Sequence, residues 1–180
     1  MRYIALMRGV NVGGKNKLPM RDLAGVFEAA GCTDVQTFIQ SGNVVFTATP
    51  TLAAAIPARM AKQVEARFAI RSPVITRSAK EFDRLINAMP YSGKAATDTF
   101  LHVAFLAAKP TRAGVARLDP NRSKGDAFKL IGREIYLSLP NGVARTKLTN
   151  AYFDATLGTV STIRNWRTVL RIGEMLGVEA

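Results

Sequence analysis

The sequence predicts an α+β fold built from two ferredoxin-like subdomains packed as one unit. Short apolar runs typical of strands alternate with stretches of helical spacing, in the order β-α-β-β-α-β up to residue 77. After a connecting helix, the order β-α-β-β-α follows, without an evident last strand. Because no low-complexity linker separates the halves, we expect one domain with subdomain 1 at about 1–77 and subdomain 2 at about 78–180.

The elements of the first half are each predicted from a local pattern. Pro19 suits the first turn of a helix, where its missing N–H has no helical partner to lose, and Gly31 is a typical helix stop. Ser41-Gly42 between two β-rich runs indicates a hairpin. The predicted elements are a strand at 2–8, a helix between Pro19 and Gly31, strands at 35–40 and 43–47, a helix at 51–69 and a strand at 72–77.

The second half opens with Ser78-Ala79-Lys80-Glu81, a capping box in which the Ser and Glu side chains satisfy backbone N–H groups at a helix start. Gly132-Arg133 indicates the turn of a second hairpin. The predicted elements are a helix through 82–89, a strand at 100–106, a short helix near 111–118, strands at 128–131 and 134–139, and helices near 149–157 and 162–176.

Residues 9–16 come close to the phosphate-binding pattern G-x-x-x-x-G-K-[ST], whose final hydroxyl coordinates the Mg²⁺ of a bound nucleotide. Asn16 occupies the position of that hydroxyl, and Pro19 delays the helix that should begin at the lysine. The sequence therefore argues against hydrolysis of ATP or GTP.

The same loop has the composition of an anion-binding site. Its glycines let backbone N–H groups converge, while cationic side chains and amide donors surround them. The alternative is that Gly13-Gly14 form a tight turn and the lysines are solvated. The hairpin turn at Ser41-Gly42 is expected at the opposite end of the sheet, outside this site. The predicted ligand-binding residues of the loop are Arg8, Asn11, Gly13, Gly14, Lys15, Asn16 and Lys17.

Two C-terminal positions extend the predicted site. Lys147 precedes a helix that Thr149 is placed to cap, and helix N-termini attract anions. Arg164 lies in the predicted helix 162–176, on one stripe with Arg167 and Arg171. We predict that Lys147 and Arg164 contact the ligand; the alternative is that the arginines form a solvated outer face.

The charge balance points to anionic partners. The chain has 25 Lys and Arg against 13 Asp and Glu, a net charge of +12, which favours nucleic acid or a phosphorylated small molecule. The alternative is that this excess reflects composition alone.

Cys32 and His102 are each the only residue of their type, so we expect no metal site and no catalytic triad, and the sequence indicates no particular cofactor. No apolar run reaches membrane-spanning length and no signal peptide is evident, so we expect a cytoplasmic protein.

Several motifs, in order, resemble the DUF1697 family of bacterial proteins. They are Leu6-Met7-Arg8-Gly9-Val10-Asn11-Val12-Gly13-Gly14-Lys15-Asn16, Pro19-Met20, Ile39-Gln40-Ser41-Gly42-Asn43-Val44-Val45-Phe46, Thr146-Lys147-Leu148 and Thr162-Ile163-Arg164-Asn165-Trp166-Arg167-Thr168-Val169. The resemblance implies an α+β fold with ferredoxin-like subdomains. It implies no reaction and supplies no catalytic residue, because the family is named for having no assigned function.

The sequence favours a basic protein that binds an anionic ligand through the Gly-rich loop. Two other functions stay open: an enzyme of unknown reaction that uses the same polar loop with Lys147 and Arg164, and a protein-interaction module without catalytic activity. Whether the chain is an enzyme, and its oligomeric state, are not decided by the sequence.

Overall fold

A computed structural model describes residues 1–91 and 99–178, and within them the order of elements repeats. The first set is β1 (Arg2–Met7), α1 (Met20–Ala29), β2 (Thr33–Phe38), β3 (Asn43–Thr47), α2 (Pro50–Phe68), β4 (Val74–Ser78) and α3 (Ala79–Asn87). The second set is β5 (Leu101–Leu106), α4 (Arg112–Ala116), β6 (Ala127–Ile131), β7 (Glu134–Ser138), α5 (Asn150–Leu157), β8 (Ser161–Asn165) and α6 (Trp166–Leu176).

The described chain divides into two compact units. Unit 1 is Met1–Asp83 together with the chain from Ile172, and unit 2 is Arg84–Arg171. The division therefore falls within α3 and α6, whereas the sequence-based boundary lies just before α3.

Each unit contains a four-stranded antiparallel sheet of the same topology. The strand order is β2-β3-β1-β4 in unit 1 and β6-β7-β5-β8 in unit 2. The registers also correspond, because Tyr3 pairs with Ser78 as His102 pairs with Asn165. The predicted fold class, two ferredoxin-like subdomains, is confirmed, and the duplication is clearer in the structure than in the sequence.

The last strand of unit 2 corrects the sequence-based assignment of the C-terminal helix. Residues 161–165 form β8, and the helix begins only at Trp166. Ile163 and Trp166 are three residues apart, a spacing typical of one helix face, although Ile163 belongs to β8 and Trp166 to α6. The sequence pattern therefore did not reveal the strand. No loop separates the two elements: Asn165 ends the strand and its Oδ1 accepts the Thr168 N–H at 2.8 Å. Arg164 therefore lies on a strand and shares no helical stripe with Arg167 and Arg171.

Unit 1 makes the same direct strand-to-helix transition. Ser78 ends β4, and its N–H and Oγ both donate to Glu81 Oε2, at 2.8 and 2.9 Å. The Glu81 N–H donates in return to Ser78 Oγ at 3.3 Å. The predicted capping box is confirmed.

In each unit, helices cover one face of the sheet and bury an apolar core. In unit 1, Leu23 and Phe27 of α1 and Ile56 and Met60 of α2 join Phe46 of β3. In unit 2, residues of α5 pack against β5 and β7 in a cluster that contains Ala104, Leu106, Leu137, Phe153 and Leu157. None of the helices in the described part of the chain has both the length and the apolar character needed to cross a lipid bilayer.

Candidate functional site

The Gly-rich segment after β1 folds into a small hairpin. The Lys15 N–H donates to the Val12 carbonyl and the Asn11 N–H to the Asn16 carbonyl, both at 3.0 Å. Gly13 and Gly14 form the turn with φ values of +57° and +75°, and two positive φ angles are typical of a type I′ hairpin turn. Lys15 lies in this hairpin, and α1 begins only at Met20, so the loop does not deliver its lysine to a helix start as a P-loop does.

Asn11 braces the hairpin against the rest of unit 1. Its Oδ1 accepts the Leu18 N–H at 2.8 Å, and its Nδ2 donates to the carbonyls of Leu18 and Gln40, each at 2.8 Å. Asn16 Nδ2 donates to the Gly9 carbonyl at 2.8 Å. Both asparagines were predicted to face a ligand, and the structure shows that their side-chain amides hold the loop in shape.

The cationic residues of the loop differ in burial and in hydrogen bonding. Arg8 is half-buried beside the α2–β4 connection, where its N–H donates to Ser72 Oγ at 3.1 Å and its carbonyl accepts from that hydroxyl at 2.8 Å. Lys15 and Lys17 are exposed. Within residues 1–91 and 99–178, neither ammonium group has a hydrogen-bond or ion-pair partner. The hairpin thus presents two solvated positive charges.

The β2–β3 turn lies beside the loop, and the expectation that it sits at the opposite end of the sheet is wrong. Strands β1 and β3 are antiparallel, so the end of β1 meets the start of β3. The Met7 N–H donates to the Gly42 carbonyl at 2.9 Å. Gly42 has a φ of +74°, and a Cβ there would lie 2.7 Å from both Met7 Cβ and Val10 Cγ2. Only glycine fits this close approach without displacing β1 or the loop.

Two exposed apolar side chains lie in the loop and in the β2–β3 turn that adjoins it. Val12, in the hairpin, is 62% exposed, and Ile39, next to Gln40, is 49% exposed. Ile39 also has a φ of +48°, a conformation that is strained for a β-branched residue. Backbone strain of this kind concentrates at functional sites. We name the surface formed by Val12, Lys15, Lys17 and Ile39 the basic edge.

Lys147 and Arg164, the other two predicted ligand contacts, belong to unit 2, whereas the loop belongs to unit 1. Lys147 is exposed, two residues before the α5 cap residue Thr149. Arg164 is buried, and its guanidinium donates to Thr162 Oγ1 at 2.9 Å and to the Ile163 carbonyl at 3.0 Å. Burial lowers the pKa of Arg164 to about 10. Because side chains alternate along a strand, Arg164 lies on the opposite face of β8 from Ile163 and Asn165.

A site that sequence reasoning did not find lies around His102. This side chain is 5% exposed and lines a cavity of about 360 Å³ within unit 2, together with Thr146, Thr149, Asn150 and Asn165. From the sequence, His102 was considered only as the single histidine of the chain, with no catalytic triad expected around it. His102 pairs with Asn165 of β8, near the start of α5. Assigning residues 161–165 to a strand would therefore have been the sequence signal for this site.

The repeated ferredoxin-like units, with a braced Gly-rich hairpin after β1 and a short connection after β5, define the structural class of this protein. The chain belongs to the DUF1697 family, described as proteins of unknown function, whose family model matches residues 1–136. This membership confirms the resemblance seen in the loop and in residues 39–46. The C-terminal motifs lie beyond the matched region, so their part in the family signature stays a prediction.

The structure of a conserved bacterial protein from Streptococcus pneumoniae is similar to this one. The two chains superpose with a TM-score of 0.68 at 24% sequence identity, over 97% of this chain and 98% of that chain. The likeness therefore covers both units and shows a shared fold. No curated protein matches the chain significantly.

Proposed function

We propose that this protein binds nucleic acid through the basic edge of unit 1, with the phosphate groups contacted by Lys15 and Lys17. The observation that carries the proposal is the pair of solvated ammonium groups on a hairpin whose conformation is fixed by the hydrogen bonds of Asn11 and Asn16. When lysines neutralise phosphates, the counterions condensed on the nucleic acid are released. This release makes such contacts favourable at moderate salt. The setting of this binding would be the cytoplasm.

The bracing of the hairpin supports a binding role. The hydrogen bonds of Asn11 and Asn16 fix the loop before any ligand arrives, so little conformational entropy is lost on association. A loop that served only to connect β1 to α1 would need neither the brace nor the lysines.

The shape of the basic edge favours a polymer over a small phosphate compound. Lys15 and Val12 lie on a hairpin with both side chains exposed, and small ligands bind in concave sites that enclose them. The net charge of +12 also favours a partner with many phosphates. Val12 and Ile39 offer apolar contact to sugar or base surfaces beside the phosphate backbone.

Fluorescence anisotropy with a labelled single-stranded RNA, titrated at several salt concentrations, tests the proposal. We expect saturable binding that weakens as salt rises. In the Lys15→Ala/Lys17→Ala variant, we expect weaker binding and a salt-dependence slope smaller in magnitude by roughly 1–2, because each phosphate contact contributes about one unit. Inorganic phosphate and a free nucleotide, run as competitors, report whether a small phosphorylated ligand binds instead.

The matched control is Lys62→Ala/Lys109→Ala, which removes the same charge from α2 and from the connection after β5. Equal losses in the two double variants would contradict the proposal, because binding would then follow net charge and not the loop. An absence of any RNA binding would also contradict it. The absence of binding would favour the protein-interaction alternative, for which exposed Val12 and Ile39 are the supporting observation.

A further inference from the structure

The cavity around His102 has an unused hydrogen-bond acceptor. The Nδ1 atom of His102 lies 3.1 Å from the Phe100 carbonyl. Because a carbonyl oxygen only accepts, this contact assigns the ring proton to Nδ1. Nε2 then carries a lone pair, and it has no hydrogen-bond partner among the residues that the structure describes. A side chain that is about nineteen-twentieths buried therefore has one ring nitrogen without a protein partner, and the residue lines a cavity.

Burial also keeps this imidazole neutral. Loss of solvation lowers the pKa of His102 below its usual 6.5, and the hydrogen bond with Phe100 only partly opposes that effect. A neutral ring with its proton on Nδ1 accepts a hydrogen bond at Nε2 and cannot donate one there.

Donors for a ligand come from the start of α5. Thr149 caps this helix, with its Oγ1 accepting the Tyr152 N–H at 3.2 Å and its carbonyl accepting the Phe153 N–H at 3.0 Å. These bonds leave the N–H groups of Asn150 and Ala151 without helical partners. Thr149 and Asn150 both line the cavity, so the positive end of the α5 dipole lies at its wall.

The equivalent place in unit 1 is filled. By register, Tyr3 corresponds to His102 and Phe46 to Leu137. The rings of Tyr3 and Phe46 stack with their centroids 5.7 Å apart. An aromatic pair therefore occupies the strand positions that His102 and Leu137 occupy in unit 2.

We propose that this cavity is a binding site for a small carboxylate that carries a hydroxyl or amino group. The carboxylate would lie at the start of α5, and the hydroxyl or amino hydrogen would donate to His102 Nε2. The volume is near the lower end of the range for small-molecule pockets, about 300–1,000 Å³, which suits a small metabolite. This site is independent of the basic edge, so failure of either proposal leaves the other standing.

His102 is the only histidine of the chain, so ¹⁵N labelling of histidine gives one imidazole spectrum and a direct test. In the full chain without additives, we expect the neutral form with the proton on Nδ1. Titration with lactate, malate or serine should produce saturable shifts of the Nε2 resonance. Acetate, which lacks the second donor, should bind at least about tenfold more weakly. Inorganic phosphate distinguishes a general anion site from a carboxylate site.

Blocking the cavity mouth separates binding from nonspecific effects. Val143 lines the cavity and is 53% exposed, so Val143→Trp should obstruct entry with little effect on folding. We expect it to weaken the response by about tenfold or more, while Val115→Trp, at another exposed valine of unit 2, leaves it unchanged. Shifts equal for acetate and lactate, an equal effect of both tryptophans, a stronger response to phosphate, or no saturable shift at all would each overturn the proposal.

Discussion

The two units share a sheet but differ in the connection from their first strand to their first helix. The Met7 N–H donates to the Gly42 carbonyl and the Arg8 N–H to the Pro73 carbonyl; in unit 2, the Leu106 N–H donates to Arg133 and the Ala107 N–H to Val160. These hydrogen bonds occupy corresponding places at the end of the first strand of each sheet. Yet residues 8–19 form a braced hairpin in unit 1, and residues 107–111 form a short link in unit 2.

This difference teaches that the Gly-rich loop is an addition to the fold. Five residues between positions 9 and 16 have positive φ, and none of residues 107–111 does. Backbone conformations of this kind are unfavourable for residues other than glycine, and two of the five are asparagines. Since unit 2 makes the same connection without them, folding alone does not explain the loop.

The largest expected effect separates the two hairpin turns. Gly42→Ala should destabilise the protein by about 3 kcal/mol, because its Cβ would clash with β1 and the loop at a positive φ. Gly132→Ala, at the corresponding turn of unit 2, should cost about 1 kcal/mol, since its φ is +64° but the nearest atom is 3.7 Å away. Urea unfolding of both variants measures the contrast. Equal losses would mean that the two turns are equally tolerant.

A second contrast tests the brace of the hairpin. Asn11→Ala removes three hydrogen bonds and leaves backbone groups of Leu18 and Gln40 without partners, so we expect a loss of about 2–3 kcal/mol in the free energy of unfolding. Asn16→Ala removes one exposed hydrogen bond and should cost about 1 kcal/mol or less. If Asn16→Ala proved the more destabilising, the brace would be assigned to the wrong residue.

The smallest expected effect is a pH dependence in unit 2. Because burial holds the pKa of His102 below 6.5 in the folded state, protonation favours the unfolded chain. His102 therefore contributes no pH dependence well above that value, and stability is lost as pH falls through the folded pKa. Thermal unfolding between about pH 7 and 5 should show a smaller decrease for His102→Gln than for the wild type. A larger decrease for the variant would indicate that the folded state favours the imidazolium ion.

The sequence predicted those parts of the molecule that local patterns determine. The capping box at Ser78, the strand before the loop and both hairpins follow from turn chemistry and alternation, and all appear in the structure. Strand β8 was not predicted, because Ile163 and Trp166 have helical spacing across a strand-to-helix junction that has no loop.

The candidate sites were harder to predict, because they depend on strand directions and on side-chain volumes. The nearness of the β2–β3 turn to the loop follows from the antiparallel pairing of β1 with β3, which a linear pattern does not display. The cavity at His102 lies where a histidine and Leu137 occupy the register positions of the aromatic pair of unit 1. No single residue in the sequence signals that exchange.

The central claim is that the loop of unit 1, and not the overall positive charge, binds nucleic acid. The most direct measurement compares RNA affinity of Val12→Ser/Lys15→Ser/Lys17→Ser with that of Lys109→Ser/Arg112→Ser/Val115→Ser, which removes two cations and one exposed valine near the short link of unit 2. We predict a loss of about tenfold or more for the first variant and less than about twofold for the second. Equal losses in two folded variants would contradict the claim.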